Sequence, residues 1–96
     1  MYATIRRYEH VGGAADDRLR AGRALAARVS QAPGFVSCAA LDGGAGVLAA
    51  VCFFETEADL AAADRLLEAW VAEHLAPLRP GAPQVTGGEV VAQKGL

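Results

Sequence analysis

The sequence is poor in lysine, aromatics, cysteine, histidine and long apolar runs. Lysine occurs once, at Lys94, and the formal net charge is −2. That balance creates no field to draw nucleic acid or an acidic membrane surface, so neither is an expected partner. Two cysteines, Cys38 and Cys52, and two histidines, His10 and His74, are too scattered for a disulfide framework or a metal cluster. The cysteines read as small buried hydrophobes, and no metal is expected. No apolar stretch reaches the length of a membrane span, and no leader-like segment precedes the first strand. The expected location is cytoplasmic.

What the chain has in excess is small apolar side chains. Of 96 residues, 53% are hydrophobic, 22 of them alanines, and only 21% are charged. This is too apolar for disorder. A chain this short forms one domain, residues 1–96, and buries roughly two-thirds of its unfolded surface.

Residues Tyr2 to Val11 have the β-branched and aromatic content of a strand, broken by Gly12-Gly13. Tyr2, Thr4, Arg6, Tyr8 and His10 share one face of it, and Ala3, Ile5, Arg7 and Glu9 the other. Asp16 and Asp17 are placed to cap and charge a helix, along which Leu19, Gly22, Leu25, Ala26 and Val29 form one stripe. Pro33-Gly34 stops it.

Two apolar runs follow, Phe35 to Leu41 and Val47 to Phe54, with a turn signal between them. The spacing predicts an antiparallel hairpin with Phe35, Ala39 and Leu41 on one face and Val36, Cys38 and Ala40 on the other. With a three-residue loop, Cys38 falls roughly opposite Cys52. A bridge between them is conceivable, although reduced thiols suit a cytosolic protein better. Both faces of this hairpin are apolar, so both require covering. Thr56-Glu57-Ala58-Asp59 then opens a second helix with Leu60, Ala63, Leu67, Trp70, Val71 and His74 on one side. Pro77 ends it. Val85 to Lys94 reads as a last strand, with a bulge or bend expected at Gly87-Gly88.

This order predicts an α+β, ferredoxin-like βαββαβ fold: a four-stranded antiparallel sheet with two helices on one face. The other face stays apolar. A second copy of the chain is its simplest cover, so a homodimer packed sheet to sheet is expected.

Three segments carry a resemblance: Pro33-Gly34-Phe35 opening the second strand, Phe53-Phe54-Glu55 closing the third, and Trp70-Val71-Ala72-Glu73-His74-Leu75 ending the second helix. Together they resemble the dimeric α/β-barrel superfamily, and most closely its antibiotic-biosynthesis-monooxygenase branch. The resemblance implies a homodimer, with a hydrophobic pocket between sheet and helices in each subunit. It also implies activities ranging from cofactor-independent oxygenation of phenols to haem degradation. Haem-degrading relatives combine a histidine on this helix with a tryptophan and an asparagine. Here Phe54 stands at the tryptophan position and Arg6 or Arg7 near the asparagine, so haem is disfavoured and no cofactor is expected.

Within that frame His74 would orient or deprotonate a substrate, and Tyr8 and Arg6 would hold its oxygen anions. Trp70, Phe54, Leu67 and Phe35 would line the pocket against an aromatic or hydrophobic small molecule. Each residue also has a plainer reading. His74 can bond a carbonyl at its helix end, the first strand can be partly exposed or form dimer salt bridges, and the aromatics can simply be core. Arg18 either rims a pocket mouth or snorkels to water. Two functions follow: a cofactor-independent monooxygenase or related small-molecule enzyme, and a non-catalytic ligand-binding or structural dimer of the same fold.

Overall fold

The strands form where alternation or apolar runs make an extended chain favourable. β1 spans Tyr2–Tyr8, β2 Phe35–Gly44, β3 Val47–Phe54 and β4 Gln84–Glu89 in a computed structural model that describes all 96 residues. They form one antiparallel sheet in the order β2-β3-β1-β4. Helices α1, Ala15–Val29, and α2, Glu57–His74, lie between them in sequence. A short 3₁₀ turn, Ala76–Leu78, follows α2. This is the expected ferredoxin-like arrangement. No helix is long and apolar enough to cross a membrane.

Both helices start as their sequences direct. The Asp17 carboxylate accepts from the Ala14 N–H at 2.9 Å, and the Thr56 hydroxyl accepts from the Asp59 N–H at 3.1 Å. Each bond satisfies a donor that has no intrahelical partner. The helices bury Ala21, Leu25 and Val29 of α1 and Leu60, Ala63, Leu67 and Val71 of α2. Against them lie Leu48, Ala50, Cys52 and Phe54 of β3 and Thr4, Arg6 and Tyr8 of β1. The alternate residues, Ala3, Ile5 and Arg7 with Val47, Ala49, Val51 and Phe53, form a second face that no helix covers.

The hairpin departs from expectation in two places. A register shift between Phe35 and Ser37 inserts one residue, so Phe35 opposes Phe54 and faces the helices with Cys38 and Ala40. Without that bulge Phe35 would share the open face with Ala39 and Leu41, as strict alternation predicts. The turn is also tighter than three residues. Gly44 pairs with Val47, and Ala45 and Gly46 between them have φ of 52° and 79°. Two successive left-handed residues make a two-residue hairpin turn whose twist matches the strands. Cys38 still lies directly opposite Cys52, both thiols free.

The last strand is shorter than expected and ends at Glu89. Its pairing with β1 runs unbroken through Gly87 and Gly88, so the pair makes no bulge. Gly87 instead lies beneath α2, where an added Cβ would stand 3.5 Å from the Leu60 side chain. Its missing side chain lets the helix pack closely over the sheet edge.

Candidate functional site

Alternation along β1 turns Thr4, Arg6 and Tyr8 toward α2. Such placement is costly for an arginine unless its charge is met. Arg6 retains only 3% of its side-chain exposure and donates through Nη1 to Asp64 Oδ1 at 3.1 Å. The same carboxylate oxygen accepts from the Thr4 hydroxyl at 3.1 Å, and Arg6 Nε donates to the Tyr8 hydroxyl at 3.2 Å. Asp64 supplies this charge from the flank of the α2 stripe, between Leu60 and Leu67, and is 26% exposed.

The cluster is not saturated. Arg6 Nη2 makes no hydrogen bond within the protein, and the Tyr8 hydroxyl donates its proton to no protein acceptor. No fully buried polar side-chain atom lacks a partner, so Arg6 Nη2 reaches accessible space. Both residues border a cleft of about 370 Å³. Val71, Ala72, Pro80 and Pro83 provide apolar walls, and Glu68 and Arg79 are its other charged members. The wall after α2 is pinned to the end of β1: Gly12 N–H donates to Leu78 O at 2.7 Å and Gly81 N–H to Glu9 O at 3.2 Å.

Other expected site residues lie elsewhere. His74 is exposed rather than turned inward. Its ring stacks on Trp70 at 5.0 Å between centroids, and its Nδ1 donates to the Trp70 carbonyl oxygen at 3.1 Å. The reason is helical drift. The buried path along the last turns steps by four residues, Leu67–Val71–Leu75, rotating about 40° each time. It therefore leaves Trp70 and His74 on its outer flank.

Phe54 and Leu67 are fully buried, and Phe35 meets Phe54 edge to face at 6.2 Å. These three fill the space between sheet and helices, and with Trp70 they border neither the cleft beside Arg6 nor a second one under α1. Nor do the residues present make a haem site, since the histidine is turned away and Phe54 is sealed in the core. Arg18 borders the other cleft, about 380 Å³ between α1 and the β2 edge. There it pairs with Asp42 at 3.3 Å and donates to Gly13 O at 2.8 Å. His10 is exposed, with φ of 58°, just past the end of β1.

Beneath the helices the two thiols form a second polar pair. The two thiols interact across the β2–β3 pair, which lowers the Cys38 pKa and raises that of Cys52. Burial and the nearby Asp64 carboxylate push Cys52 further up.

Sequence reasoning missed Thr4, Asp64 and Arg79. The period-two spacing of Thr4, Arg6 and Tyr8 was a usable signal, because one inward turn of β1 places all three beneath α2. Asp64 carried a signal too: its place between Leu60 and Leu67 on the α2 stripe marks it as facing the sheet.

The arrangement defines a class: a ferredoxin-like α+β domain with a polar, arginine-centred cleft beneath its second helix. Its fold is that of the antibiotic-biosynthesis-monooxygenase-like proteins. SnoaB, a cofactor-independent oxygenase from Streptomyces nogalater, superposes with a TM-score of 0.72 at 18% identity, over 96% of this chain and 94% of that one. The haem degrader MhuD from Mycobacterium tuberculosis, solved with two haems in its active site, gives 0.73 at 22% identity, covering 99% and 100%. ActVA-Orf6 from Streptomyces coelicolor, a monooxygenase solved with nanaomycin D, gives 0.66 at 16% identity, over 96% and 92%. No family model matches the sequence, and no curated protein does so significantly.

Proposed function

We propose that this protein is a small-molecule oxygenase of the cofactor-independent kind, working as a homodimer in the cytoplasm. The observation that carries the reading is the pair of free donors, Arg6 Nη2 and the Tyr8 hydroxyl, at one apolar-walled cleft. The oxygenases that share the fold support it. In such chemistry the substrate supplies the electrons for dioxygen, and the protein supplies desolvation, orientation and hydrogen bonds to a substrate oxygen that is or becomes anionic. Arg6 and Tyr8 hold that oxygen. Asp64, itself held by the Thr4 hydroxyl, fixes the guanidinium beside the cleft.

The dimer follows from the open sheet face. Ile5, Leu41, Val47, Val51 and Phe53 lie there without a covering layer, and a contiguous apolar patch of this kind marks an interaction site. A second copy packed face to face buries it symmetrically. Light scattering should give about twice 9.9 kDa, and Val51→Glu should reduce the mass to that of one chain.

The activity is tested by oxygen uptake and product analysis with a panel of two- and three-ring phenols. Uptake by the unmodified protein that falls at least tenfold in Tyr8→Phe supports the assignment. Binding without oxygen consumption across the panel overturns it. That outcome favours a non-catalytic binding dimer, a reading supported by the outward-facing His74, which leaves Glu68 as the one carboxylate bordering the cleft.

A further inference from the structure

The cleft also carries information about the charge of what it binds. Two guanidinium groups, Arg6 and Arg79, border it against one carboxylate, Glu68. Asp64, which compensates Arg6, lies behind it and outside the lining. Glu68 and Arg79 are exposed and screened by water, whereas Arg6 is almost fully buried and its field is felt at short range. The innermost charged group with an unfilled bond is therefore cationic. Beside it stands a phenol whose oxygen already accepts from that guanidinium and whose proton is free.

The remaining walls contain no charge. Val71, Ala72, Ala76, Pro80 and Pro83 present small apolar surfaces suited to the face of a flat ring. Small-molecule clefts span about 300–1,000 Å³, so 370 Å³ sits near the lower bound and fits one or two rings.

We propose that the cleft between β1, α2 and the 79–83 segment binds a one- or two-ring aromatic acid, its carboxylate received by Arg6 Nη2 and the Tyr8 hydroxyl and its ring lying on the proline-lined wall. The inference rests on the reading of this cleft as the substrate site and names the group that anchors the substrate. Arg6 and Tyr8 meet a charge that is resident on the ligand, so they orient the ring whether or not oxygen chemistry follows. A carboxylate offers two acceptor oxygens to these two donors, and charge-assisted bonds to arginine are about twice as strong as neutral ones.

Isothermal calorimetry on the full chain tests this with three matched probes: 2-naphthoate, its neutral isostere 2-naphthamide, and 2-naphthol. The naphthoate should bind at least about tenfold more tightly than the other two, with an affinity that falls as salt rises. Arg6→Lys keeps a positive charge opposite Asp64 but removes the fork, and should cost about tenfold for naphthoate and little for the amide. Tyr8→Phe should cost several-fold. Ala72→Trp is exposed, fills the cleft and should abolish binding without touching the cluster.

Equal binding of naphthoate and naphthamide overturns the proposal, as does naphthoate binding that survives Ala72→Trp. The two readings fail separately. Naphthoate binding in the cleft with no oxygen uptake from any substrate removes the oxygenase and leaves the acid site. Oxidation of a neutral phenol that binds more tightly than the acid does the reverse.

Discussion

The two clefts are nearly equal in volume, and each holds an arginine–aspartate pair, yet the pairs play different parts. Under α1, Arg18 and Asp42 meet at 3.3 Å with 18% and 38% of their side chains exposed. Under α2, Arg6 and Asp64 meet at 3.1 Å with 3% and 26% exposed. Water reaches both partners of the first pair but only the aspartate of the second. An exposed pair contributes between zero and about 1 kcal/mol, whereas a buried charge left alone is strongly destabilising. The buried pair is therefore part of the fold, and its arginine has spare donors held in place at a cleft. The α1 pair fastens a helix start to the hairpin, and its arginine is the more exposed of the two.

The largest experimental effect should come from Arg6. Arg6→Ala leaves Asp64 facing a hole beneath α2 and should cost about 2–3 kcal/mol in denaturant unfolding, below the full buried-pair value because Asp64 is partly exposed. Arg18→Ala should cost less than about 1 kcal/mol. Equal losses would mean that burial does not separate the two pairs.

A smaller effect should distinguish the two thiols, where the contrast in burial recurs within one pair. Cys38 has its pKa lowered by its interaction with Cys52, whereas Cys52 is pushed up. Thiolate is the reactive form. Iodoacetamide should modify Cys38 first in the folded protein, with peptide mapping as the readout, and Cys52 only on unfolding. Preferential labelling of Cys52 would contradict the geometry.

The smallest effect concerns acid. Asp42 is held below the ordinary carboxylate range by the Gly44 N–H and then by Arg18, and Asp17 by the Ala14 N–H and then by Arg20. A carboxyl depressed by folding contributes stability above its unfolded pKa and loses it as pH falls through the folded value. Amide exchange at the start of α1 and at the β2–β3 turn should therefore speed up as pH falls below about 4, once intrinsic rates are removed. Unchanged protection down to pH 2 would show that these bonds do not hold the start of α1 or the turn.

Much of the fold was legible because it depends on local periodicity. The order of elements, the stripe on each helix and the opposition of Cys38 to Cys52 follow from spacings and turn residues that act over a few positions. The candidate site was legible only in part. Arg6, Tyr8 and Thr4 share a face in any strand, but nothing local says whether that face is dry. Phe35 changed faces because one bulge resets the alternation, and His74 left the interior because four-residue steps rotate the buried path past it. Phe54 and Leu67 looked suitable for lining a pocket, but they are large enough to fill it.

Hydrophobic period and turn chemistry, written residue by residue, specify a small βαββαβ domain with one apolar sheet face more than its helices can cover. Only the tertiary structure decided that Asp64, 58 positions from Arg6, would neutralise it. It also decided that a segment after α2, tied back to the end of β1, would leave a cleft beside Arg6. Those outcomes depend on how a helix sits over a strand, and burial, which sets the strength of every charge involved, exists only after that packing is complete.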